Sequence, residues 1–184
     1  QPPAGDEWLH EIKYDGCRIL AVKSRGGVRL ITRGGKNWSD RFAGIADALA
    51  ALPADEFWLD GEMVVTRRDG TTDFQALQNV LGGLAGGRIN YVLFDIIYLN
   101  GIDLSQTPLL QRKRLLHELL RKQPPQAVLR YSDHIIGSGA LTYRHACRQA
   151  LEGIVSKRMD AAYRQKRSMD WVKTKCLRRQ EFVV

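Results

Sequence analysis

Residues 11 to 18 read Glu-Ile-Lys-Tyr-Asp-Gly-Cys-Arg, so that Lys13 has an acid two positions away on each side. The run alternates as a β-strand does and then stops at a turn. An amine in that setting is either a solvated surface charge or a nucleophile placed by the fold. Four further strand-like segments carry charges in a similar way: Asp60 with Glu62, Asp95, Glu152 with Lys157, and Lys173 with Lys175. Each alone has the ordinary reading of a charge on a solvated face. Five such segments, with both signs represented, are better explained by sheets that converge on one polar cleft, because a buried charge without a partner is costly. Acids and lysines lining one cleft suit a phosphate ligand and its metal.

The elements that must hold these residues are legible from pattern and punctuation. "RILAV" and "VRLIT" flank a "KSRGG" turn, which predicts an antiparallel hairpin. "SDRFAGIADALAAL" predicts a helix with Phe42, Ile45, Ala46, Leu49 and Leu52 on one face, Ser39 or Asp40 as cap and Pro53 as stop. "FWLDGEMVVT" and "YVLFDIIYL" read as buried strands interrupted by acids, with the "RRDGTT" turn and a short Asp73-capped helix, "DFQALQNVL", between them. "LLQRKRLLHELLRK" predicts an amphipathic helix with Leu115, Leu116, Leu119 and Leu120 inward and the basic residues outward, stopped by "QPP". A helix over 139–151 capped by Ser138 precedes the strands "GIVSKRM" and "DWVKTKCL". The sum is an α+β chain of antiparallel sheets with helices on their outer faces.

Composition narrows the class. Lysine and arginine number 28 against 20 acids, a net charge of +8 that favours a polyanionic partner. Three cysteines, Cys17, Cys147 and Cys176, widely spaced and without a CxxC pair, argue against a disulfide framework or structural zinc and for a reducing compartment. No apolar run is long enough to cross a bilayer, which points to a soluble cytoplasmic protein. The chain opens on "QPPAGDEW" and closes on the strand-like "RRQEFVV", as a domain cut from a longer protein would.

"KYDGCR" resembles the KxDG element of the covalent nucleotidyltransferases, the superfamily of ATP-dependent DNA ligases, RNA ligases and mRNA capping enzymes. "TRGGK", "LDGE", "YVLFD", "EGIVSK" and "WVKTK" follow in the family's order and spacing across residues 13 to 175. The wording of "DGEMVV", "DFQALQ" and "LEGIVSKRMDAAYR" is most similar to bacterial end-joining ligases, commonly called ligase D. The resemblance implies a nucleotidyltransferase (ATP-grasp-like) fold around a nucleotide cleft, with residues 1–184 as the adenylation domain. The OB-fold domain that normally follows is expected to be absent from this chain, which would limit it to self-adenylylation.

The implied reaction is attack of a lysine amine on the α-phosphorus of ATP, leaving a lysine–AMP bond that later activates a DNA 5′-phosphate for sealing in repair. A lysine titrates near about 10.4, so this use requires burial or positive neighbours. By the resemblance, Lys13 is the nucleophile, and Lys173 and Lys175 neutralise the α-phosphate and disfavour a charge on Lys13. Glu11 would accept from the adenine amino group, Phe94 would stack on the base, and Arg18 with Glu62 would hold the ribose. Lys157 would contact phosphate, and Glu152, with Glu62, would hold magnesium or manganese. Asp15 and Gly16 would shape the turn after the nucleophile, while Asp60 and Asp95 would orient lysines. Arg33, at a Gly-Gly turn, would grip the 5′-phosphate of a nick, a solvated loop arginine being the alternative. Arg41, Arg112, Arg114 and Arg121 read as surface, with no assigned role. The implied partners are nicked or broken duplex DNA, the missing OB-fold and polymerase or nuclease modules of the full-length protein, with no membrane and a monomeric chain. Competing readings are an RNA ligase or capping-type guanylyltransferase, and a non-catalytic nucleotide- or DNA-binding module of the same fold.

Overall fold

The computed structural model describes residues 1–67, 71–84, 86–124, 127–165 and 168–176. The closing "RRQEFVV" and the centre of the expected turn at 68–70 lie outside the described residues. In chain order the elements are β1 (Trp8–Ile12), β2 (Cys17–Ser24), β3 (Gly27–Thr32), a single 3-10 turn (Asp40–Phe42) leading into α1 (Ala43–Ala50), β4 (Phe57–Val65) and α2 (Phe74–Leu81). There follow β5 (Ile89–Leu99), β6 (Ile102–Asp103), α3 (Leu109–Leu120), β7 (Leu129–Tyr131), β8 (His134–Ile136), α4 (Gly139–Arg148), β9 (Gly153–Arg158) and β10 (Trp171–Lys175).

Two sheets result. The larger runs β3-β2-β4-β5-β6, with β7 joined to β5 in parallel; the smaller runs β10-β9-β1-β8 and is antiparallel throughout. The larger sheet buries Ile19, Leu30, Leu59, Met63 and Leu93 against Phe42, Ile45 and Leu49 of the α1 segment, Leu77 of α2 and Leu116 of α3. At about 25 cal/mol per Å² of apolar surface removed from water, that packing is the main stabilising term. α4 lies on the smaller sheet, against β1 and β9. Among the described residues no helix is long and apolar enough to cross a membrane.

Of three expected helix caps, two are corrected. The hydroxyl of Ser39 does not cap α1: its oxygen accepts the Leu30 N–H at 3.0 Å and so ties the helix approach to β3. Ser138 likewise makes no side-chain cap on α4, whose last helical residue is Arg148. Asp73 does cap α2, accepting from the N–H groups of Gln75 and Ala76.

α3 departs most. Leu116, Leu119 and Leu120 are buried, but Leu115 is 38% exposed, whereas Arg112 and Lys113 are 0% exposed. Residues 109, 112, 113, 116 and 120 fall on one helical stripe, so the basic pair must face inward wherever Leu109 and Leu116 do. Arg112 is received by Asp95 of β5 at 2.7 and 2.9 Å, and its other N–H groups donate to the carbonyls of Thr107 and Ala161. The helix start, where Pro108 offers no side-chain acceptor, donates the Leu109 and Leu110 N–H groups to Ala161 and Met159.

The cysteines are also corrected. Cys147 and Cys176 form a disulfide, with Cα atoms 5.4 Å apart, and Cys17 is free. Their wide sequence spacing is closed because α4 feeds β9 and β10 returns antiparallel beside it, which brings the end of β10 to the end of α4.

Removing one member of a buried ion pair leaves an uncompensated charge. Arg112→Ala is therefore expected to lower unfolding free energy by about 3–5 kcal/mol, read from the urea midpoint at unchanged slope.

Candidate functional site

Lys13 stands immediately after β1, where its backbone N–H donates to the carbonyl of Gly153 at 2.9 Å. Gly153 opens β9 with φ +145°, and a Cβ built there would lie 2.1 Å from the Thr174 carbonyl oxygen. Only glycine allows β9 and β10 to approach this closely at that φ. Lys175 is the register partner of Gly153 and Lys173 that of Val155, so both lysines of β10 are delivered beside Lys13. The Lys13 ammonium donates to Glu152 Oε2, and Lys175 Nζ lies 3.2 Å from Glu152 Oε1. Glu152 is further fixed through its backbone carbonyl, which accepts the Cys176 N–H at 2.9 Å next to the disulfide.

Glu62, on β4, faces the same group. Burial pushes its carboxyl up to about 7 against the pull of Lys13, Lys173 and Arg18. Burial likewise holds the Lys173 ammonium below its ordinary value, and the charge of Lys13 adds to the effect. Three lysines and two carboxylates thus meet where β1, β4, β9 and β10 come together. Such a group can neutralise a phosphate, accept a proton from an amine and offer oxygen ligands to a cation.

The other sequence-predicted residues form a second, drier cluster. Glu11 is 3% exposed; its Oε1 receives Lys113 Nζ at 2.5 Å, and its Oε2 receives Lys157 Nζ at 2.7 Å and the Ser132 hydroxyl at 3.2 Å. Burial would raise the Glu11 carboxyl, but Lys157 and Lys113 outweigh it and hold the group below the usual carboxylate range. Burial also lowers Lys157, with Glu11 opposing. Lys157 Nζ sits 4.3 Å from the Phe94 ring centre and 4.1 Å from that of Trp171, and the two rings meet edge to face at 5.8 Å. The structure puts Lys157 on Glu11 and an aromatic pair, its place set by pairing across the sheet with Leu9 and Trp171.

Arg18 joins the two clusters. It is the cross-strand partner of Glu62, yet its guanidinium grips Asp60 through two hydrogen bonds of 3.0 and 2.6 Å while lying 5.6 Å from both the Phe94 and the Trp171 ring centres. Tyr163 donates to the same carboxylate at 2.8 Å. Asp60 and Asp95 thus orient arginines, Arg18 and Arg112, where lysines were expected. The bidentate fit of guanidinium to carboxylate accounts for the preference.

Asp15 and Gly16 differ in manner from the expectation. The Asp15 N–H donates to Thr72 Oγ1 at 3.0 Å, tying the segment after Lys13 to the approach of α2. Gly16 is required by close approach, since a Cβ there would lie 2.1 Å from the Met63 carbonyl oxygen of β4. Arg33 is exposed in the turn after the edge strand β3 and has no side-chain partner among the described residues. Lys113, Ser132, Tyr163 and Trp171 were not singled out from sequence. Of these, Trp171 and Tyr163 lie inside the quoted motifs "WVKTK" and "LEGIVSKRMDAAYR", and Lys113 had a signal in its place on the stripe through Leu109 and Leu116.

The family described as ATP dependent DNA ligase domain matches residues 3–175. The chain is 44% identical, over its whole length, to the multifunctional non-homologous end joining protein LigD of Pseudomonas aeruginosa, of which it spans 22%. It is 32% identical over 93% of its length to the SPbeta prophage-derived DNA ligase-like protein LigB of Bacillus subtilis, spanning 62% of that protein. Among solved structures, the ligase domain of Mycobacterium tuberculosis LigD superposes with a TM-score of 0.80 at 31% identity, covering 94% of this chain and 56% of that one. A mycobacterial DNA ligase D complexed with ATP and MES gives 0.78 at 30%, covering 94% and 55%.

The raised carboxyl of Glu62 has a signed consequence. Between the ordinary glutamate range and about 7, the unfolded chain has lost a proton that folded Glu62 keeps. Its contribution is present at lower pH and is lost as pH rises through 7. Relative to Glu62→Gln, the wild-type protein is expected to lose unfolding free energy across that window, measured by urea titrations at stepped pH.

Proposed function

The chain belongs to the family of ATP-dependent DNA ligase domains, and on that premise we propose that residues 1–184 form an adenylating unit whose nucleophile is Lys13. The observation that carries this reading is the meeting of Lys13, Lys173 and Lys175 with Glu152 and Glu62 where β1, β4, β9 and β10 converge. Lys13 first gives up its ammonium proton to water, with Glu152 Oε2 holding the amine in place until then. The neutral amine then forms the Nζ–Pα bond of ATP as the bond from Pα to the pyrophosphate oxygen breaks. Pyrophosphate leaves with that electron pair, and the proton shed by nitrogen passes to water. Lys173 and Lys175 stand where they would balance charge building on the α-phosphate oxygens. ATP as the substrate is supported by the mycobacterial neighbour described in complex with it.

Glu152 and Glu62 are the carboxylates we assign to a magnesium or manganese ion. Among the described residues no three His, Cys, Asp or Glu side chains form a ready-made metal group. Magnesium, however, binds through one or two carboxylates while keeping water and substrate phosphate as further ligands. The donor set therefore fits an ion that arrives with the nucleotide. Bound there, such an ion would stabilise the anionic α-phosphate and draw the charge of Glu152 away from Lys13.

Phe94 and Glu11 are assigned to the base, Arg18 to the ribose, and Lys157 to the same end of the nucleotide, on the strength of the cluster they form. The acceptor we assign is the 5′-phosphate at a nick or break in DNA, with Arg33 as its contact; the end-joining proteins among the relatives support this. The chain spans 22% of the P. aeruginosa relative, so sealing is assigned to a longer protein that would include an OB-fold unit.

Incubation with magnesium and α-labelled ATP is expected to leave label on the denatured protein, and Lys13→Ala to leave none. A labelled Lys13→Ala would overturn the nucleophile, and label from GTP in preference to ATP would favour a capping-type enzyme. Intact mass of the purified protein reads the same adduct when labelling is prevented by nucleotide already bound.

A further inference from the structure

Glu11 can read a base only if its carboxylate is ionised and aimed, and neither follows from its place on β1. A carboxylate at 3% exposure is driven toward its neutral form, whose O–H can donate as well as accept. A protonated Glu11 could then satisfy a carbonyl as readily as an amino group. An ionised one is acceptor-only and rejects a carbonyl. Discrimination between a 6-amino and a 6-oxo purine at this position thus depends on what keeps Glu11 charged.

We propose that Lys113 is a positioning residue for base recognition, holding Glu11 ionised and leaving a single acceptor site on Oε1 for the purine amino group. Lys113 is 0% exposed on α3, its Nζ 2.5 Å from Glu11 Oε1 and 2.9 Å from the Ser132 carbonyl, and 4.6 Å from the Tyr131 ring centre. Those contacts leave the ammonium one geometry. An ionised carboxylate has about four acceptor sites. Oε2 takes Lys157 and the Ser132 hydroxyl, Oε1 takes Lys113 alone, and so the remaining site is on Oε1. Lys157 also neutralises Glu11, but it lies against Phe94 and Trp171, where we place the base, and is free to answer to the ligand. Lys113 reaches Glu11, the Ser132 carbonyl and the Tyr131 ring, of which only Glu11 is assigned to the ligand, and so it acts through Glu11. The inference rests on the nucleotide reading above and assigns it a determinant outside every motif used to reach it.

The test separates loss of base reading from loss of structure by pairing a protein change with a ligand change. Equilibrium binding is measured by calorimetry in chelator, which stops turnover, using ATP and inosine triphosphate, which carries a 6-oxo group in place of the 6-amino group. Wild type is expected to prefer ATP by about tenfold to a hundredfold, the range for one hydrogen bond to a charged group. Lys113→Met should narrow that preference to about twofold, inosine triphosphate gaining on ATP, because a protonated Glu11 serves either ring substituent. Lys113→Arg, which keeps the charge, should retain the preference. Equal weakening of both ligands in Lys113→Met, or an unchanged preference, overturns the proposal. If Lys113→Met does not fold, Lys113→Gln, which can still donate to Glu11 but carries no charge, is read in its place. A wild type that prefers ATP but forms no adduct on Lys13 would instead overturn the adenylation reading and leave this one standing.

Discussion

A charge taken out of water must find its opposite, and two consecutive residues of α3 impose that requirement on the whole molecule. The effective cost of burying one ion is several kcal/mol even after relaxation. Arg112 meets it on the larger sheet, at Asp95 of β5; Lys113 meets it on the smaller sheet, at Glu11 of β1. One helical turn thereby fixes both sheets to a common reference. It also fixes the segment between β9 and β10, since Arg112 and the first-turn N–H groups hold the carbonyls of Ala161 and Met159. That segment in turn brings Tyr163 to Asp60 and leads into Trp171.

The cleft built on this frame has two ends of different character. One is accessible enough for Lys175 to be 70% exposed, and its lysines and carboxylates can exchange protons and partners. The other is dry, with Glu11, Lys113 and Lys157 all at 3% exposure or less and every carboxylate oxygen engaged. Arg18 spans the two, set by Asp60 and lying over both aromatic rings. A dry end suits a neutral aromatic body, whose recognition needs fixed donors and acceptors. A wetter end suits a multiply charged group whose protonation changes during reaction.

The longer strands were legible in the sequence because they rest on local alternation, and the residues gathered beside Lys13 stood out as motifs. The hairpin of β2 and β3 and the Asp73 cap are of that kind. The short β6, β7 and β8 carried no pattern. What the sequence hid are partnerships set by tertiary approach. Glu11 and Lys113 are 102 positions apart, and Cys147 and Cys176 are joined only because β10 doubles back along β9. Hydropathy also misdirected: in α3 the charged types of residues 112 and 113 suggested solvent, whereas the helical spacing through Leu109 and Leu116 already placed them inside. The spacing was the better guide, since geometry decides which side chains face inward and chemistry then decides what must receive them.

The two glycines that let the site close, Gly16 against Met63 and Gly153 against Thr174, each face a neighbouring carbonyl oxygen where a first carbon would lie 2.1 Å away. They contribute no functional group, yet they set how near the strands bearing Lys13, Glu62, Lys173 and Lys175 can come. Drift at either position is closed in a way that drift at Arg33, in its open turn, is not. A change of side chain at the rim would alter only what is gripped there, whereas a first carbon at either glycine would part the backbone segments that hold the lysines and carboxylates together.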